Sequence, residues 1–153
     1  MNQVNRHSRG LFSAALDYLV ELYMLLAPQD AASMWIKRGA LRWRGARVGT
    51  QVKIWRDVWV DDYPNLTIGN EVTIGKSVML ICGGGVEIGD RVMIGHGAKI
   101  VSGGHRIPDT REAPMRWSGP EVGPISIAAD AWIGAGAIIL PCADIGCGAE
   151  VAA

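Results

Sequence analysis

The sequence predicts an all-β solenoid: a parallel β-helix of four to five coils behind an α-helical N-terminal segment. Three observations predict it. From Val48 onward an aliphatic residue recurs in steps of six: Val48, Ile54, Val60, then Ile68, Ile74, Leu80, then Ile88, Ile94, Ile100. After an irregular stretch the register resumes at Ile127, Ile133, Ile139, Ile145 and Val151. The residue two places before each of these is also aliphatic, from Ala46 and Val52 through to Ala143 and Ala149. Two inward side chains two residues apart are strand geometry. Glycine follows the main aliphatic at seven of the fourteen registers (Gly49, Gly69, Gly75, Gly89, Gly95, Gly134, Gly146). That marks a corner, where a positive φ or a close backbone approach favours a residue without Cβ.

Three such strands close a triangular coil of about eighteen residues, and stacked coils share one aliphatic column. The eight-residue steps from Val60 to Ile68 and from Leu80 to Ile88 read as corners with two extra residues. Gly83-Gly84-Gly85 lies in the second of them. No helix pattern follows this triplet, so a corner insertion explains it better than a phosphate loop.

Residues 1–44 form a separate helical region, and residues 45–153 the solenoid, with an extended loop at about 104–124. From Leu11 to Ala27 the polar residues Ser13, Asp17 and Glu21 are spaced by four, a narrow stripe on an otherwise apolar helix. Such a helix should be buried. A solenoid needs its open end covered, which makes a cap the expected role. Packing on another subunit is an alternative, and so is a peripheral membrane contact beside Lys37, Arg38, Arg42, Arg44 and Arg47. Seventeen residues with two carboxylates make a poor membrane span. Pro28 ends this helix, and a second is expected from Ala31 to about Leu41.

The 153 residues carry no net charge, which gives no global case for nucleic acid. The charge is nonetheless uneven, at +5 over residues 1–60 and −5 over the remainder. A solvated basic face is the simple reading of that half, and an anionic partner the alternative. Three cysteines (Cys82, Cys142, Cys147) without C-x-x-C spacing indicate neither a disulfide framework nor a zinc site. With no secretory signal ahead of the fold, the expected location is the cytoplasm, membrane-associated if the helix lies on a bilayer.

The six-residue count breaks between Ile100 and Ile125, in SGGHRIPDTREAPMRWSGPEVGP. Loops this long in a compact domain are usually functional or disordered. His105 stands at its start. His96, in the turn IGHGAK, reads as a corner residue, and His7 as part of a flexible start.

From Val48 to the end, about two thirds of the chain, the repeat resembles the hexapeptide-repeat acyltransferases. The segments IGDRVMIGHGAKIVSGGH and GPISIAADAWIGAGAIILPCADIG are the most specific, and they resemble the maltose, galactoside and polysaccharide O-acetyltransferase branch. The resemblance implies a left-handed coil, where general crossover chirality would favour the right-handed one. It also implies acetyl-CoA as acyl donor, a sugar or polysaccharide-precursor hydroxyl as acceptor, no metal, and a homotrimer with the donor site in the groove between subunits. SGGH aligns with the family string that precedes such a loop, which makes His105 the catalytic base. Trp132, Ala135 and Ala153 match positions along the coenzyme, and the Trp132 neighbourhood matches the source of an oxyanion donor. Cys142 stands where the family usually has glycine. The family's sugar-binding carboxylate near the glycine triplet has no counterpart. Its threonine–lysine pair and terminal arginine lie beyond Ala153, so the expectation is a truncated or shortened variant that stops partway through a coil.

The chemistry needs few parts. A hydroxyl is a weak nucleophile at neutral pH, whereas a thioester is already activated. One general base supplies about a hundred- to ten-thousand-fold, and histidine titrates in the right range. Asp109, Glu112 or a backbone carbonyl could orient the ring of His105. Three other readings stand beside acetyl transfer to a hydroxyl. One is a catalytically inactive assembly subunit. Another is transfer to an amine. The third is a metal-dependent hydratase, which needs three histidines where the solenoid has only His96 and His105.

Overall fold

The computed structural model describes residues 11–110 and 114–153, with the backbone alone for 11–15. Helix α1 (Leu11–Leu26) and helix α2 (Ala31–Trp43) precede a left-handed parallel β-helix. The Asp30 side chain caps α2, accepting from Ser33 N at 2.8 Å, the usual N-cap arrangement.

The first coil is β1 (Arg47–Val48), β2 (Lys53–Ile54) and β3 (Trp59–Val60). The second is β4 (Leu66–Ile68), β5 (Thr73–Ile74) and β6 (Met79–Ile81). The third is β7 (Val86–Ile88), β8 (Met93–Ile94) and β9 (Lys99–Val101). A short antiparallel ribbon, β10 (Gly103–His105) with β11 (Pro120–Val122), interrupts the winding. The fourth coil follows as β12 (Ile125–Ile127), β13 (Trp132–Ile133) and β14 (Ile138–Ile139), and β15 (Asp144–Ile145) and β16 (Glu150–Val151) make two sides of a fifth.

Stacking the coils gives three parallel sheets. Face A is β1-β4-β7-β12-β15, face B is β2-β5-β8-β13-β16, and face C is β3-β6-β9-β14. Both aliphatic registers point inward. Val52, Ile54, Leu66, Val72, Ile74, Leu80, Val86, Ile100 and Ile133 are fully buried in one continuous core. The usual right-handed crossover follows from strand twist acting through a long connection. Strands of two or three residues joined by tight corners carry little twist, so that bias is weak here.

The corners show where glycine is required. The glycine directly after the inward aliphatic has an ordinary φ; the positive φ falls two residues later, at Gln51, Asp57, Glu71, Ser77, Arg91, Asp130 and Cys142 among others. Glycine at the first position instead answers close approach. A Cβ on Gly95 would lie 2.5 Å from Ala135 N, and one on Gly75 would lie 2.8 Å from His96 N. The left-handed residue has its own function. Strand amides bond forward to the next coil (Gly49 N to Ile68 O, Trp55 N to Ile74 O), whereas left-handed residues bond backward (Glu71 N to Thr50 O, Gly97 N to Lys76 O).

Because the carbonyls of the inward residues point toward the preceding coil, those of the first coil have no strand to accept from. Helix α2 supplies the donors. Arg42 donates to Val48 O and Gly49 O at 2.7 Å each, Arg38 to Val52 O at 3.0 Å, and the fully buried Lys37 to Ile54 O at 3.1 Å. Of the basic run, Lys37 is buried and Arg38 half-buried, while Arg42 and Arg47 stay exposed to solvent.

Helix α1 departs from the sequence expectation. Asp17 turns toward the junction with α2, Glu21 reaches it from an exposed position, and much of the helix's apolar surface faces out. Asp17 and Glu21 pair with Arg44 at 2.9 and 3.5 Å, and Arg44 also donates to Tyr63 Oη at 2.6 Å and to Asp17 O at 2.7 Å. Burial works against the Arg44 charge, but Tyr63 and the two carboxylates outweigh it and raise its pKa. Met24 and Ala27 are buried beneath the helix, while Tyr18, Leu19, Leu22, Leu25 and Leu26 are exposed. The side chain of Ser13, the third member of the stripe, lies outside the described residues. Among the described residues no helix is long and apolar enough to cross a membrane.

Three predictions test this account. Gly95→Ala should destabilise the chain by about 2–3 kcal/mol, since backbone must move. Gln51→Gly, which relieves a left-handed φ of 55°, should be neutral or stabilising by up to about 1 kcal/mol; urea denaturation checks both. For Lys37, burial is the main cause of a pKa below the ordinary 10.5, with Arg56 adding to it. The folded state therefore disfavours the charge, and wild-type stability should rise as pH climbs through the alkaline range below 10.5. Lys37→Met, measured in parallel, should lack that rise.

Candidate functional site

The sequence-predicted residues fall on two edges of the prism. His105 ends β10, on the ribbon that leaves the corner between faces C and A, and its side chain is exposed. Trp132 points outward from face B, where it pairs with Met93 and Glu150 in the ladder and is half-exposed. Ala135 follows β13 at the corner between faces B and C, and Ala153 follows β16 at the same corner one coil further on. A Cβ on Gly134 would lie 3.1 Å from Ala153 N, so this edge is closely stacked. The structure thus brings Trp132, Ala135 and Ala153 to one edge region and leaves His105 on another edge of the same chain.

The interruption after Ile100 is an ordered ribbon at its root rather than a plain loop. Gly103, Gly104 and His105 pair with Val122, Glu121 and Pro120. Ser102, fully buried, fixes the root: its Oγ accepts from Gly84 N at 2.9 Å and donates to Ile81 O at 2.8 Å, and its carbonyl accepts from Gly123 N at 3.0 Å. Gly84 is needed there, because its Cβ would meet Gly123 N at 2.7 Å. Further out, Arg106 N donates to Gly119 O at 3.1 Å and Ser118 Oγ donates to Arg106 O. His105 is therefore held by backbone pairing while its ring faces solvent. Sequence reasoning missed Ser102; a small polar residue directly before the glycine pair was the signal.

Among the described residues neither ring nitrogen of His105 has a hydrogen-bond partner, and Asp109 is exposed. Glu112, the other proposed orienting carboxylate, lies outside the described residues, as does His7. His96 sits at the corner between faces B and C. Its Nδ1 accepts from Lys76 N at 2.7 Å, and its ring packs edge-on against Trp55 at 4.9 Å. That nitrogen is engaged in holding two coils together.

Cys82 is not an activated nucleophile. Cys82 is buried, and burial, with Asp61 and Asp62 adding to it, pushes its thiol up to about 12. Cys142 is exposed at a left-handed corner (φ 66°), which is the backbone state that suits glycine. A Cβ on Gly123 would collide with its sulfur, so Cys142 packs under the root of the ribbon.

The outward residues of the three faces differ. Face A carries Arg47, Thr67, Glu87, Ser126 and Asp144, all polar. Face C carries Trp59, Met79, Lys99 and Ile138, mostly apolar. A cleft lined by Tyr18, Leu22 and Leu25 of α1 and by Trp59 joins the exposed helix to face C.

No protein-family model and no curated protein matches the chain. Solved structures do. A hexapeptide-repeat-containing acetyltransferase from Vibrio cholerae, complexed with acetyl coenzyme A, matches 94% of this chain and 75% of its own at 20% identity and a TM-score of 0.74. A galactoside acetyltransferase in complex with coenzyme A matches 97% of this chain and 72% of its own at 22% identity, also with a TM-score of 0.74. A maltose O-acetyltransferase from Clostridium difficile matches 92% and 80% at 17% identity and 0.65. An N-acyltransferase from Bacillus cereus, in complex with dTDP and coenzyme A, matches 76% and 75% at 21% identity and 0.55. The two closer-covering acetyltransferases span the helices as well as the solenoid, so the shared fold includes the capped end.

Proposed function

We propose that this chain transfers an acetyl group from acetyl-CoA to a hydroxyl of a sugar or polysaccharide precursor, with His105 as general base. The observation that carries the reading is an exposed histidine, held by a paired ribbon, on a fold that matches acetyltransferases bound to acetyl coenzyme A or coenzyme A over 94% and 97% of this chain. A ring nitrogen of His105 takes the hydroxyl proton as the acceptor oxygen attacks the thioester carbonyl. The tetrahedral oxyanion then collapses, the carbon–sulfur bond breaks, and the imidazolium returns the proton to the departing thiolate. The products are the acetyl ester and free coenzyme A, and charges balance at each step.

The coenzyme lies against Trp132, Ala135 and Ala153. These belong to a different edge from His105, so a working centre needs the His105 edge of one subunit beside the Trp132 edge of the next. Closed threefold symmetry makes three such grooves. The apolar outward row of face C and the exposed apolar surface of α1, joined by their shared cleft, supply the surface that such contacts cover. A bilayer contact through α1 is the weaker form of this reading, because Lys37, Arg38, Arg42 and Arg44 are engaged by carbonyls and carboxylates. An amine acceptor is a second reading, favoured by the N-acyltransferase neighbour.

Incubation with acetyl-CoA and a panel of sugars and amino sugars, following thiol release, tests activity and acceptor class together. His105→Ala should lower turnover by at least about a hundredfold with an unchanged circular-dichroism spectrum. Retention of more than about a tenth of the rate removes His105 as the base. In sedimentation the chain should run as a trimer; a monomer with full turnover sinks the shared-site arrangement, and absence of thiol release with every acceptor favours the inactive assembly subunit.

A further inference from the structure

Face A carries a groove that the proposed chemistry does not use. It has a volume of about 400 Å³ and is lined by Arg47, Asn65, Thr67, Glu87 and Ser126, with Pro64 and Pro124 at its sides. That size is within the range of small-molecule sites. Its polar residues come from successive coils: Arg47 from the first, Thr67 from the second, Glu87 from the third and Ser126 from the fourth. Coils stack at the strand spacing of about 4.8 Å, so the row from Arg47 to Ser126 runs about 14 Å along the axis.

The chemistry of the row is specific. Arg47 and Glu87 are single charges of opposite sign, and the rest are hydroxyl and amide groups. A polyanion would meet Glu87 unfavourably, and the outward row from Arg47 to Ser126 has no apolar side chain to anchor an apolar peptide. Alternating donors and acceptors at a regular spacing fit a chain of hydroxyls. The pyrrolidine rings of Pro64 and Pro124 offer apolar edges to the C–H faces of sugar rings. Arg47 donates through Nε to Thr67 Oγ1 at 3.1 Å, which orients the guanidinium and leaves its terminal nitrogens for a ligand.

The groove also ends where the catalytic ribbon begins. Pro124 and Gly84 line it, and Gly84 is bound to Ser102 at the root of the ribbon carrying His105. Ile125 N donates to Gly85 O at 3.0 Å, closing the same corner. A ligand lying along the row on face A therefore has its Ser126 end level with the coil before which the ribbon carrying His105 leaves.

We propose that face A binds the acceptor as an extended glycan of about three sugar units, lying along the solenoid axis with one end toward His105. The proposal rests on the acetyl-transfer reading, since it makes this glycan the acceptor. It implies that the chain prefers an oligosaccharide to a free sugar.

Two homologous series serve as probes: glucose, maltose and maltotriose, and N-acetylglucosamine with its β-1,4-linked dimer and trimer. With the full chain and acetyl-CoA, kcat/KM in at least one series should rise about tenfold from one unit to three, as two or three added hydrogen bonds allow. Arg47→Gln and Glu87→Gln should lower the trimer's kcat/KM about tenfold, through acceptor KM rather than kcat. A chemical-shift titration with the trimers, without acetyl-CoA, should move the amides of Thr67, Glu87 and Ser126 in the wild type and weaken in both variants. Flat dependence on chain length in both series overturns the proposal, and so does trimer binding that both variants leave intact. Absence of thiol release with every acceptor overturns the acetyl-transfer reading instead, and the titration then decides the groove alone.

Discussion

A parallel solenoid has a direction, and the rest of this molecule depends on how that direction is closed. Along each strand the residues that flank the inward aliphatics point their amides at the coil that follows, and the inward aliphatics point their carbonyls at the coil before. In the interior both sets are satisfied. At the first coil the carbonyls of Val48, Val52 and Ile54 face outward with no strand to meet them, and a buried unpaired carbonyl costs about 1–3 kcal/mol. Helix α2 answers with cations. Arg42, Arg38 and Lys37, on two adjacent turns, reach across and donate to those three carbonyls. A positively charged donor on a flexible stem reaches a carbonyl row that a neighbouring strand would otherwise occupy.

That closure fixes the placement of α1. Arg44, at the end of α2, is drawn into the same junction and stacks over the Tyr63 ring. A buried guanidinium needs counter-charge, and Asp17 and Glu21 supply it from α1. Asp17 must therefore turn toward the junction, and the leucines that a hydrophobic pattern would bury are left outside. The exposed apolar surface is then a consequence of electrostatics at the junction, and it runs into the apolar outward row of face C. The outward row of face A, by contrast, is polar.

The separation of His105 from Trp132, Ala135 and Ala153 follows from the winding itself. A triangular coil gives three edges, and a residue's edge is fixed by its register within the coil. His105 leaves after a face C strand, whereas Trp132 lies in a face B strand and Ala135 and Ala153 follow face B strands. No local rearrangement short of rewinding the coil brings the two edges together in one chain. This is why the proposed centre belongs to a pair of neighbouring chains.

The sequence by itself determined the solenoid, its fourteen strands and the identity of its core, because a six-residue period with two inward positions admits one way to bury Val52, Ile54, Ile74 or Ile133. It also marked His105 through the break in that period. It did not determine which corner residue bends backward. Glycine at the first corner position reports close approach, while the left-handed φ at Gln51, Asp57 or Arg91 leaves no compositional mark. Nor did it determine the face that α1 buries. Hydrophobic pattern measures only transfer from water, and the choice was made by Arg44, a residue far along the chain whose partners become visible only when the first coil is closed.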